Sequence, residues 1–142
     1  MPKLPTRCPR RFSRLGLAAL FVVAGANHFV STGFYVDIMP AYLPLHLELV
    51  YLSGLLEMLG GAAVLVPQAR SRAGWLLIAL LVVVLPANLN MALNSDQFPG
   101  LSAFALYARL PVQGLLIAWA YWATRPETGV SGSAPAADRH QL

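Results

Sequence analysis

Charge is what this chain is short of. Asp, Glu, Lys and Arg make up 11% of its 142 residues and hydrophobic residues 57%, where an average soluble domain carries roughly 25% charged residues. A small domain has too much surface for its volume to hide that much apolar area inside itself, so a water-soluble globule is excluded. Cysteine is nearly absent too. Cys8 stands alone, which excludes a disulfide framework, a redox cysteine pair and a thiolate metal site. There is no dinucleotide fingerprint, no pair of haem ligands and no internal repeat.

What the chain does have is length without charge. Windows 15–36 and 73–94 contain no Lys, Arg, Asp or Glu; window 49–66 contains only Glu57, and window 101–124 only Arg109. Crossing the hydrocarbon of a bilayer takes about 20 apolar residues at about 1.5 Å each. A soluble helix bundle would carry a polar stripe every 3.6 residues, and these windows have none. The expectation is an all-α integral membrane protein, a four-helix transmembrane bundle.

The few cations are placed unevenly. All except Arg109 fall before residue 15, at Arg70 and Arg72, or after residue 124. The loops near 37–48 and 95–100 have none. This alternation follows the positive-inside pattern and predicts both termini in the cytoplasm of a multi-pass protein of the inner (plasma) membrane. The net charge of +4 is then topological, with membrane lipids rather than nucleic acid as the partner. Residues 10–26 also resemble a signal peptide, with basic residues ahead of an apolar run and small residues after it. The apolar stretch runs on to Val36, too long for a cleaved leader, and its removal would leave three spans.

The chain divides into a basic tail (1–13), a transmembrane domain (14–124) and a Gly-, Ser- and Pro-rich tail (125–142) expected to be disordered. The first loop, "FYVDIMPAYLPLHLEL", holds aromatics and two prolines. It reads either as a cap lying at the outer interface or as a plain connector. Pro86 and Pro111 lie within helices three and four and should free carbonyls near Val82 and Tyr107. Ser53, Gly54, Gly60 and Gly61 flank Glu57 and allow another helix to come close.

Counting rise along each helix puts the buried polar residues in one layer. His28 comes to about 20 Å above the inner boundary, Glu57 to about 18 Å, Asn88 to about 22 Å, Arg109 to about 21 Å and Gln113 to about 15 Å. Isolated charges at such depth are costly, so Glu57 is expected to pair with Arg109, with His28 and Asn88 completing the hydrogen bonds. Arg109 and Gln113, four apart, share a face. These five residues are the candidate ligand-binding set, with Glu57 and His28 the candidates for acid–base catalysis, and no metal site is expected. The plainer alternatives are a Glu–Arg clasp that only fixes register, and Asn88 and Gln113 as interhelical glue.

With those residues in view, the chain resembles the DoxX-like family of small four-helix bacterial membrane proteins. The resemblance runs from about residue 15 to 124 through "GANHF" (25–29), "FYVDIMPAYLP" (34–44), "SGLLEMLGG" (53–61), "PANLNMA" (86–92) and "RLPVQ" (109–113). It implies association with a quinone-linked redox system, as a membrane subunit beside a redox partner subunit, with a bound quinone as the one cofactor to be expected. Two other readings stand beside it. One is a non-redox binding, carrier or isomerase-type protein for a small lipophilic molecule; the other is a structural or assembly protein.

Overall fold

The computed structural model describes residues 7–126; residues 1–6 and the C-terminal stretch expected to be disordered, from 127 on, lie outside it. All regular structure among the described residues is helical. The helices are α1 (Arg7–Val30), α2 (Thr32–Asp37), α3 (His46–Ala63), α4 (Arg70–Leu93) and α5 (Ala103–Thr124), with one turn of 3-10 helix at Ser95–Gln97 before α5. Three segments, Arg10–Val30, Arg70–Leu93 and Ala103–Thr124, are long and apolar enough to cross a membrane. The 18-residue α3, with His46, Glu48 and Glu57 along it, is not among them.

The first helix starts earlier than its apolar run suggests. Residues 7–13, read from sequence as tail, continue α1 because its first turns are tied to the end of α5. The Trp119 indole N–H donates to Ser13 Oγ at 2.6 Å, Arg14 Nε donates to the Ala123 carbonyl at 2.9 Å, and the Arg10 guanidinium lies 5.3 Å from the Trp122 ring centre. At its other end the predicted single helix over 15–36 breaks at Ser31, whose backbone leaves helical geometry. Thr32 is the cause. Its hydroxyl donates to the carbonyls of His28 (2.8 Å) and Phe29 (3.1 Å), a local bond that competes with the helix ladder. The chain then turns into α2.

A loop leads from α2 to α3 and ends at Leu45, which has φ 57°, alone in the left-handed region among the described non-glycine residues. Pro44 precedes it, and His46 Nε2 meets the Pro40 carbonyl at 3.1 Å, so α3 begins at His46 rather than at Leu49. Ser102 caps α5 by accepting from the Ala105 N–H at 3.2 Å, a bond typically worth about 1 kcal/mol.

The long helices form a ring. α1 packs on α3, α3 on α4, α4 on α5 and α5 on α1, so α3 and α5 lie across a diagonal. The largest core cluster includes Leu17, Phe21, Leu77, Leu81 and Ala120; a smaller one, Ile38, Met91 and Leu106, sits under α2 and the loop that follows it. Outside the ring the molecule is inverted relative to a soluble protein: Val83 is 72% exposed, Leu115 70% and Phe104 84%. Such a continuous apolar exterior matches lipid rather than water. All three tryptophans lie toward the end that carries Arg11, Arg14, Arg70 and Arg125, where Trp75 and Tyr121 meet edge to face at 6.1 Å and Arg125 covers the Tyr121 ring at 3.8 Å. An aromatic band of this kind is characteristic of a membrane–water boundary.

Candidate functional site

The closest helix contact builds the site. Gly25 on α1 and Gly54 on α3 meet with almost no side chain between them: a Cβ on Gly25 would stand 2.5 Å from the Gly54 carbonyl oxygen, and one on Gly54 2.8 Å from the Gly25 oxygen. Two turns further along α3, Gly61 lets it lie against Phe21 and the backbone of Ala18. With the two backbones this near, His28 and Glu57, three residues further along each chain, face one another.

Both are buried, at 7% exposure each, and His28 Nδ1 lies 3.7 Å from Glu57 Oε2. The same nitrogen is 2.9 Å from the Ala24 carbonyl. A carbonyl only accepts, so Nδ1 carries a hydrogen and donates to Ala24, and Nε2 is the ring atom left to accept or donate elsewhere. Glu57 Oε2 is buried and has no hydrogen-bond partner, an unusual state for a carboxylate oxygen in a protein interior. Above the pair, Tyr35 of α2 stacks on the His28 ring with centroids 3.9 Å apart and planes 19° from parallel. Asn27 fixes that lid by donating from Nδ2 to the Tyr35 hydroxyl at 3.0 Å.

On the other side of the ring Asn88 and Gln113 form a second group. Asn88 Nδ2 donates to Gln113 Oε1 at 3.1 Å, and Gln113 Nε2 donates to the Leu81 carbonyl. Leu81 is one residue from Val82, whose carbonyl Pro86 deprives of its helical donor. Gln113 thus ties α5 to the α4 backbone one residue before that break, and this pair acts as interhelical glue.

Arg109 does not meet Glu57. Its Nη1 lies 3.6 Å from Met91 Sδ, and its guanidinium stands 5.7 Å from the ring centre of Phe34 on α2. The expected ion pair fails for a geometric reason: rise along a helix gives depth but not position around the bundle, and Glu57 and Arg109 stand on diagonal helices. Of the five candidate residues the structure joins His28 with Glu57 and Asn88 with Gln113, and sets Arg109 apart. Among the described residues no cluster of His, Cys, Asp and Glu is fit to hold a metal ion.

The family described as a domain of unknown function (DUF8561) matches residues 17–124. The chain belongs to that family. No curated protein and no solved structure matches it. The DUF8561 match covers the ring from Leu17 to the end of α5 and so contains every residue of both polar groups.

Three contributors to this DUF8561 site escaped the sequence reading. Tyr35 and Phe34 read as interface aromatics, because nothing local announces the break at Ser31 that folds α2 back over the bundle. Asn90, which nothing in the sequence singles out, donates from Nδ2 to the Ile38 carbonyl at 3.4 Å and holds the loop after α2 on the ring. The cap reading of the first loop is the one the contacts favour, with Ile38 buried against Met91 and Leu106.

Proposed function

We propose that the chain is a four-span protein of the bacterial plasma membrane, with both termini cytoplasmic, that binds a quinone-type molecule at His28 and Glu57 as the membrane subunit of a redox system. The gathering of arginines and tryptophans at one end supports the orientation. Support for α3 as the fourth span comes from its packing: it buries Glu57 toward α1 while Leu52, Leu55 and Leu59 point outward. The DoxX-like resemblance supports the redox association.

The observation that carries the site is the unpartnered Glu57 Oε2 beside His28. Burying a polar atom without a partner costs about 1–3 kcal/mol, and a ligand hydroxyl removes that cost by donating to it. A quinol supplies such a hydroxyl on a flat ring. Of the two protons a quinol gives up, His28 and Glu57 would take the one on the hydroxyl they face and the other would leave to water, while the two electrons would pass to a redox group on the partner subunit.

The same acid–base pair also serves the non-redox reading, because it needs no cofactor to move a proton on a small lipophilic substrate. Purification in mild detergent, followed by mass spectrometry of the extracted lipids, separates these readings. Co-purifying quinone that disappears in Glu57→Gln and His28→Phe but persists in Asn88→Ala supports the proposal. Quinone retention that ignores Glu57 and His28 overturns the site, and a different bound lipid that depends on them transfers the site to the non-redox reading.

A further inference from the structure

At the opposite end from Glu57, arginines from three helices surround one cavity. Arg11 and Arg14 come from α1, Arg70 opens α4 and Arg125 follows α5; the cavity between them measures about 710 Å³. That volume falls within the roughly 300–1,000 Å³ of small-molecule sites. Two of the four are anchored to backbone: Arg14 Nε donates to the Ala123 carbonyl at 2.9 Å and Arg70 Nε to the Val64 carbonyl at 3.0 Å. These bonds spend side-chain entropy on placing guanidinium groups at the rim. Leu15 and Leu65 give the cavity an apolar wall.

Topology accounts for arginines at this end but not for their convergence. Arg72 satisfies the same charge rule and lies elsewhere, beside a crevice between α3 and α4. Guanidinium groups bind phosphate oxygens through paired N–H donors, and basic pockets between transmembrane helices suit anionic headgroups. We infer that the cavity is a binding site for a phosphate-bearing anion seated at the level of the lipid headgroups. A phospholipid and a soluble phosphate compound share that chemistry. The Leu15 and Leu65 wall favours the phospholipid, whose acyl chain continues along the apolar exterior.

The full-length protein, stripped of lipid in an uncharged detergent, would be titrated with phosphatidylglycerol, phosphatidylcholine or inorganic pyrophosphate and bound species counted by native mass spectrometry. Phosphatidylglycerol should bind in preference to phosphatidylcholine, and Arg11→Gln with Arg125→Gln should weaken it about tenfold or more. Arg72→Gln, which removes a single charge from the same end but outside the cavity, should change it by less than about twofold. The Arg11 and Arg125 variants leave both backbone anchors in place, and circular dichroism melts would confirm that they fold. Pyrophosphate that binds and displaces phosphatidylglycerol supports the anion site and points to a soluble ligand. Equal retention of both lipids, no effect of the double variant, or an Arg72→Gln effect of the same size would each overturn the inference.

Discussion

Gly25 and Gly54 touch backbone to backbone across α1 and α3, and this contact sets the spacing at which His28 reaches Glu57. Neither glycine has a positive φ. Both are needed for room rather than for conformation.

Alanine at either position should therefore be costly. The atoms that a new methyl group meets include backbone, which has nowhere to go, and overpacking of this kind typically costs about 1–3 kcal/mol. Gly33 provides the contrast, since a Cβ there would meet nothing within 4 Å; Gly33→Ala should be neutral or stabilising by up to about 1 kcal/mol. Reversible unfolding in mixed micelles measures all three.

Double-mutant cycles distinguish the pair that forms from the pair that does not. Glu57 and His28 are in contact and should couple by about 0.5–3 kcal/mol, whereas Glu57 and Arg109, on diagonal helices, should be additive to within about 0.5 kcal/mol. A large Glu57–Arg109 coupling would contradict the ring order of the helices.

Gln113→Leu should destabilise by about 1–3 kcal/mol, because it removes the side-chain donor to the Leu81 carbonyl and the acceptor of Asn88 together. Asn88→Leu, which leaves Gln113 on Leu81, should cost less. A smaller effect for Gln113→Leu than for Asn88→Leu would show that the backbone contact is not the one that matters. Thermal unfolding of the two variants makes the comparison.

The crossing of α3 is open to direct measurement. With Cys8 replaced by Ser, Ala41→Cys and Gln68→Cys place single thiols at the two ends of α3. An impermeant maleimide should label Ala41→Cys in intact cells, and Gln68→Cys only after permeabilisation. Labelling of both from one side would mean that α3 does not span.

The sequence made the helices legible because hydrophobic length is a local property. It also gave the depth of the polar residues closely enough that His28 and Glu57, and Asn88 and Gln113, were grouped in one layer. Which of them touch depends on rotation around the bundle, and long apolar runs with no polar stripe carry no sign of it. Glu57 and Arg109 therefore seemed natural partners by charge alone, while the glycines at 25 and 54 held the better clue. The break at Ser31 was equally hidden, since Thr32 is compatible with a continuing membrane helix until its hydroxyl takes the carbonyls of the preceding turn.

The ring order of the helices also sets how the molecule closes. Each long helix packs on the next one in the chain, so α1 with α3, and then α4, can assemble in the order in which a ribosome delivers them. Among the long helices, α5 on α1 is the contact that joins the two ends of the described chain, through Trp119 to Ser13 and Arg14 to Ala123. Until α5 is synthesised the bundle is an open palisade, and those two bonds are the latch that shuts it.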